Sequence, residues 1–373
     1  MGSHPHRKPK ILLLAQLPPP VHGSAVMNQY LFNSQLVRQT FDVTWIDISL
    51  DKSLGRIGQF AISKIWSYVK INLNLIVKLL TIRFDAAYCT VAPYGMPFIK
   101  DSLLVVWLKI FRVKKIFHMH GKGINEELIS SGWKKKYYNF IFRNASVIHL
   151  SESLLADLQE INTIKKKFIL SNGIPGYSPE KKITEPVQIL YLSNFFETKG
   201  AYELLSTARI MVEQKVDFHL RLVGGWPDLV FKKKLLDFYN SVNWDGKVEI
   251  LGPLYGASKE KVLKGSNILV FPSRYRMECF PLVILEAMSC GLVIMASRVG
   301  AVPEILENGE LGILVDPNNT QEFASAIIDI LDDKERLSRL SNRSMKAFEQ
   351  KFSFPVFENN FVRILTEILS DIN

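Results

Sequence analysis

The sequence predicts an α/β protein made of two doubly wound parallel-sheet domains, and three observations carry that expectation. Short, almost uninterrupted apolar runs alternate with stretches of helical spacing, the rhythm of βαβ units. The alternation breaks once, at SNGIPGYSPEKKITEPV (171–187), which is rich in Gly, Pro, Ser and charge, as a linker between domains is. The 373 residues exceed one ordinary domain but suffice for two cores of roughly 150 to 200 residues each.

The first series opens with the strand KILLLAQL (10–17), then a helix from about Val26, the strand FDVTWIDIS (41–49) and a helical region ending near Ile82. AAYCTV (86–91), another helix and KKIFHMH (114–120) follow, and ASVIHLSE and KFILSNGI complete the set. Past the linker come VQILYLSNF, HLRLVGGW, KVEILGPL, NILVFPS, LVIMAS and GILVDP, with helices such as 201–214 and 320–331 between them. The tail PVFENNFVRILTEIL has apolar residues at helical spacing and reads as a closing helix. The expected boundaries are 1–175, 187–350 and 351–373. Ligands of such sheets bind outside the carboxyl ends of the strands, so a cleft between the two domains is the expected active site.

Composition narrows the function classes. A chain 47% hydrophobic and 22% charged is an ordered globular protein. Its three cysteines, Cys89, Cys279 and Cys290, form no CxxC pair and no metal-ligand spacing, which suits a reduced, cytoplasmic protein without structural zinc. No signal peptide is expected from the polar opening, and the greasy region 54–84 is interrupted by Arg56, Lys64, Lys70, Lys78 and Arg83, too often for a transmembrane span. A net charge of +10 points to an anionic partner.

The most specific stretch is FPSRYRMECFPLVILEAMSCGLVIMAS (271–297). Two carboxylates, Glu278 and Glu286, stand in apolar surroundings where acids rarely lie without partners. The spacing puts Glu278 in a loop and Glu286 one turn inside the next helix, whose free N–H groups favour an anion. A capped core helix with a solvated Glu286 is the bland alternative. The pattern PS(x4)E(x)F(x)L(x3)EAM(x2)G, followed by VGAVPEI, resembles the signature of the retaining family 4 glycosyltransferases of GT-B architecture, in which two Rossmann-like domains face a cleft.

That resemblance extends over nearly the whole chain and implies roles for individual residues. Glu278 would touch the donor sugar and Glu286 the nucleotide ribose, while main-chain N–H groups of the Phe280 to Val283 segment would bind sugar and diphosphate. Many members have GFGL where this chain has CFPL, and Pro281 has no N–H to give, so Leu282 and Val283 are the expected donors. In YLSNFFETKG, Lys199 matches a diphosphate-binding lysine, and Asn194 stands where an arginine is common. In QLPPPVHGSAVM, Gly23, with Ser24 beside it, matches a glycine that approaches the reacting sugar. His120, before Gly121, matches a histidine beside the sugar, whereas His118 is expected to face the core. Gly224 and Gly225 would let the nucleotide approach the backbone. Leu254 is the expected base contact, with Tyr255 as a stacking alternative, although both also read as packing residues. Asn172 and Gly173 read as a structural turn, and Glu304 as a support for the turn at Gly300.

No Asp-x-Asp occurs, so transfer is expected to need no metal, and no other cofactor is implied. GxSxG and HExxH are also absent, which removes common hydrolase readings. The implied reaction moves a sugar from a nucleotide-diphosphate donor to a hydroxyl of a glycan or lipid-linked acceptor, as in cell-surface polysaccharide synthesis. A sugar-nucleotide epimerase of the same architecture and a noncatalytic nucleotide-sugar-binding protein are the alternatives. Lys64, Lys70, Lys78 and Arg83, with Lys114, Lys115 and Lys134 to Lys136, suit an anionic membrane surface on its cytoplasmic side; they equally suit core helices with a solvated basic face. No nucleic-acid-binding motif accompanies them.

Overall fold

The computed structural model describes residues 7–50, 62–129, 131–177 and 183–371; the middle of the expected linker, 178–182, and the start of the basic region, 54–61 with Arg56, lie outside them. Two compact units result, one of residues up to Gly173 together with those from Pro355, the other Ile174–Phe354.

The N-terminal unit has six strands, β1 Lys10–Ala15, β2 Asp42–Asp47, β3 Ala86–Thr90, β4 Lys114–His118, β5 Ser146–His149 and β6 Lys166–Ile169. They form one parallel sheet in the order β2-β1-β3-β4-β5-β6. Its helices are α1 Gly23–Asn33, α2 Gln35–Thr40, α3 Ile62–Thr81, α4 Gly95–Ile110, α5 Ile124–Ile129 and α6 Gly132–Phe142. Every residue from Ile11 to Leu14 is buried, although successive side chains point to opposite faces. Helices cover both faces of such a sheet, which is why β1 reads as an apolar run without alternation.

The C-terminal unit repeats the plan with β7 Val187–Leu192, β8 Phe218–Val223, β9 Val248–Leu251, β10 Ile268–Phe271, β11 Val293–Ser297 and β12 Gly312–Val315. The order β12-β11-β10-β7-β8-β9 reverses between β10 and β7. Around it lie α7 Ala201–Glu213, α8 Leu229–Asn240, α9 Gly256–Lys264, α10 Leu282–Ser289, α11 Val302–Ile305, α12 Thr320–Asp332 and α13 Lys334–Ala347. Phe218 of β8, Leu205 of α7 and Phe323 of α12 belong to one core on this sheet.

The expected boundaries need correction at both ends of this unit. It begins at Ile174 rather than 187, because Ile174 forms a parallel bridge with Ser353, donating its N–H to Phe352 O at 3.0 Å and accepting from Phe354 N at 2.9 Å. The closing helix is not a separate element: α14, Phe354–Ser370, packs within the N-terminal unit. Its Phe361 ring meets Tyr88 of β3 edge-on at 5.3 Å, and Lys114 Nζ donates to Ile368 O at 2.8 Å. Among the described residues, no helix is long and apolar enough to cross a membrane, and no cluster of three side chains suited to a metal ion occurs.

Candidate active site

In the C-terminal unit, β7 and β10 are neighbours at the point where the strand order reverses, so the chain leaves them toward opposite sides and opens a crevice at their carboxyl ends. Both departing loops carry residues singled out by the sequence. After β7, the segment Glu197–Lys199 makes a single 3-10 turn, closed by Gly200 at φ 78°. A Cβ on Gly200 would lie 2.1 Å from the Pro272 carbonyl oxygen, so only glycine lets this turn rest against the start of the loop after β10. Arg274 N–H donates to Thr198 O at 2.7 Å and ties the two loops a second time.

This contact brings Lys199 Nζ to 2.5 Å from Glu278 Oε2, which also accepts from Ser273 Oγ at 3.2 Å. The ammonium lies over the rings of Tyr275, at 4.7 Å, and Phe271, at 5.9 Å, whose electron-rich faces favour a cation. The two charged side chains remain 16% and 13% exposed, enclosed yet open to a ligand. Gly300 supports the far side of the loop. At φ 52°, a Cβ there would stand 2.5 Å from Glu278 O, and Ala301 N–H donates to Cys279 O at 2.8 Å.

The next helix, α10, starts directly after Pro281, and no side chain caps it. The N–H groups of Leu282 and Val283 lack acceptors within the helix and carry the positive end of its dipole. The Phe280 side chain is buried against Phe352, with ring centroids 6.1 Å apart, so only its main chain is placed for a ligand. Glu286, on the second turn, is paired with Lys259 of α9 at 2.7 Å. Leu254 and the exposed Tyr255 immediately precede α9, so this ion pair links the segment expected to meet the base to the carboxylate expected to meet the ribose.

Asn194 and Gly224 have local duties of their own. Asn194 Oδ1 accepts from Gly225 N at 3.2 Å, and a Cβ on Gly224 would fall 2.0 Å from Ser193 O. The ends of β7 and β8 are thus locked together, and Asn194 supplies no positive charge. Arg274, which the sequence pattern did not single out, is one of two further cations on the loop after β10, with the exposed Arg276; it pairs with Glu203 of α7 and donates to Glu197 O at 3.4 Å. Its position directly after PS is the signal that was available.

In the N-terminal unit, Gly23 is the first residue of α1, and His22 caps the helix by accepting from Ala25 N at 3.3 Å, with Ser24 Oγ 3.0 Å from the same Nδ1. His120 follows β4, its ring 4.0 Å from that of His118. His118 is fully buried and bonds Tyr88 OH through Nδ1 at 2.6 Å, as a core residue does. Burial pushes the His120 imidazole down to about 3, and the nearby charges of His149 and His22 push the same way. It is neutral at physiological pH, with a buried Nε2 that has no protein partner.

A family model described as "Glycosyl transferases group 1" matches residues 177–347. N-acetyl-alpha-D-glucosaminyl L-malate synthase of Bacillus anthracis is 27% identical over 70% of this chain and 69% of its own length. The putative colanic acid biosynthesis glycosyltransferase WcaL of Escherichia coli is 22% identical over 69% of this chain and 65% of its own length, so the chain spans about two thirds of these relatives. The crystal structure of Anabaena Alr3699/HepE in complex with UDP-glucose superposes with a TM-score of 0.69 at 19% identity, covering 96% of this chain and 99% of that one. Residues 177–347, which lie within the C-terminal unit, thus match the model of the group 1 glycosyltransferases, and the two units together have the GT-B fold.

Proposed function

We propose that the chain moves a sugar, with retention of configuration and without a metal, from a nucleotide-diphosphate donor to a hydroxyl of a glycan or lipid-linked acceptor. The observation that carries this reading is the Lys199–Glu278 pair at the switch point of the C-terminal sheet, followed by the uncapped start of α10. Lys199 and the N–H groups of Leu282 and Val283 stabilise the negative charge that grows on the leaving diphosphate, the kind of assistance that is usually the largest in such reactions. Glu278 accepts from a sugar hydroxyl and Glu286 from the ribose. The bond from the anomeric carbon to the diphosphate breaks, a bond to the acceptor oxygen forms on the same face, and the acceptor proton passes to the departing phosphate.

The UDP-glucose bound to Alr3699/HepE supports a nucleotide-sugar donor, and the name of WcaL supports polysaccharide synthesis as the setting. Incubating the protein with a panel of nucleotide sugars and an acceptor extract, with a chelator present, tests the reading. Transfer with the donor's anomeric configuration, undiminished by the chelator, is the expected result. Isomerised donor without transfer, donor binding without turnover, or loss of transfer on chelation would overturn it.

A further inference from the structure

Two helices of the N-terminal unit keep apolar ridges outside their own core. α3 buries Leu75 and Leu79, yet its Trp66, Val69, Leu73, Val77 and Leu80, spaced by three and four residues, are between 37% and 69% exposed. α4 likewise buries Leu104 and Leu108 and exposes Ile99, Leu103 and Ile110. Asn72, three residues after Val69, accepts from Trp107 Nε1 at 3.1 Å, and Trp107 lies between Leu103 and Ile110 on α4. That bond, with the one from Tyr68 OH to Lys100 O at 2.6 Å, joins the two ridges into one face. Single exposed apolar residues need no explanation, but a contiguous face of this size marks a contact surface.

Charge identifies what would cover it. α3, α4 and the neighbouring α6 hold eight lysines and a single acid, Asp101, which is buried and paired with Lys100 at 3.3 Å. Arg83, Arg112 and Arg143 follow the three helices and are exposed. The crowding of positive charge is felt by Lys109, pushed down to about 8 by burial and then by the charges of Lys115 and Arg143. A second copy of the same face would set like charges against each other.

We propose that this face docks on an anionic phospholipid bilayer, with the α3 and α4 ridges entering the headgroup boundary and the flanking lysines and arginines meeting lipid phosphates. α3, of 20 residues, is about 30 Å long and lies along the surface rather than across it. Nothing in the surface depends on the transfer reaction, so the two fail separately.

Sedimentation of the full chain with vesicles of phosphatidylcholine, alone or mixed with phosphatidylglycerol, tests it. Binding to the anionic vesicles should be at least about tenfold tighter and should weaken as salt is raised. Leu73→Asp and Val77→Asp alter exposed positions and should each reduce binding at least about tenfold, with unchanged thermal melting and unchanged transfer to a water-soluble acceptor. Val230→Asp, at an 83% exposed position of the C-terminal unit, should bind as the parent does. Equal binding to neutral vesicles, no binding to either, or a dimer in sedimentation velocity that Leu73→Asp dissolves would overturn the proposal.

Discussion

Lys199 and Glu278, 79 residues apart in the chain, form an ion pair at 2.5 Å where the C-terminal sheet reverses its strand order. The pair explains how a carboxylate and an ammonium are both kept in an enclosed crevice before any donor arrives, since each offsets the desolvation of the other. A diphosphate would compete with Glu278 for the lysine, and a sugar hydroxyl would then satisfy the carboxylate.

Replacing the lysine tests its role in leaving-group stabilisation. Lys199→Met should lower transfer at least about tenfold, as loss of a charge-stabilising contact does, and it also leaves Glu278 without its counter-ion. The double variant Lys199→Met/Glu278→Gln removes both charges, so it should regain melting temperature without regaining transfer. Recovery of turnover in the double variant would show that the lysine serves only to neutralise the glutamate.

Gly300 tests the support beneath Glu278. Gly300→Ala places a Cβ 2.5 Å from Glu278 O and forces a side chain into left-handed backbone. A cost of about 1–3 kcal/mol is expected in denaturant unfolding, with a loss of transfer larger than the loss of folded protein at assay temperature. A variant as stable and active as the parent would mean that the loop after β11 does not hold Glu278 in place.

The buried histidines give the N-terminal unit a dependence on pH. Burial holds His149 down to about 4, and burial with neighbouring imidazole charge holds His120 down to about 3, against an ordinary 6.5. Below pH 6.5 the unfolded chain takes up protons that the folded chain refuses, so stability is intact above 6.5 and falls as pH drops toward 4 and 3. The slope is about 1.4 kcal/mol per pH unit for each histidine. Melting temperatures measured between pH 7.5 and 4.5 should fall on acidification, and His149→Gln should flatten the decline. A profile of the same slope in the variant would remove His149 from the account.

Much of the fold was legible because it rests on continuous apolar runs. Strands covered on both faces, such as Ile11 to Leu14, leave no polar alternation to confuse them with surface strands. The crevice residues stood out within two separate continuous motifs: Lys199 comes shortly after β7 and directly before Gly200, and Glu278 and Glu286 stand at fixed distances from the end of β10 and from Gly291. Other features depend on long-range pairing. The spacing of α14 shows an apolar face but does not name its partner, the edge of Tyr88 in the N-terminal unit. Lys259 looks like any lysine of a polar helix until α9 brings it to Glu286. Gly224 reads as an opening for a nucleotide, whereas the Ser193 carbonyl already fills the space beside it.

The two glutamates should separate in binding, because they are proposed to hold different parts of the donor. A hydrogen bond to a charged group contributes about 1.5–3 kcal/mol, so Glu286→Gln should weaken a nucleoside diphosphate about tenfold or more, and the intact nucleotide sugar to the same degree. Glu278→Gln frees Lys199 from its competitor and so should hold the nucleoside diphosphate at least as tightly as the parent, weakening only the nucleotide sugar. Lys259, now paired with Glu286, has a smaller part: Lys259→Met removes a competitor for the carboxylate and should shift nucleotide affinity by less than about threefold, as expected for a partly exposed pair. Calorimetric titration of the three variants, with whichever nucleotide raises the melting temperature of the parent most, reads all these outcomes. Equal losses for both glutamate variants with the nucleoside diphosphate alone would place Glu278 on the nucleotide rather than the sugar, and the assignment of the crevice would have to be redrawn around that contact.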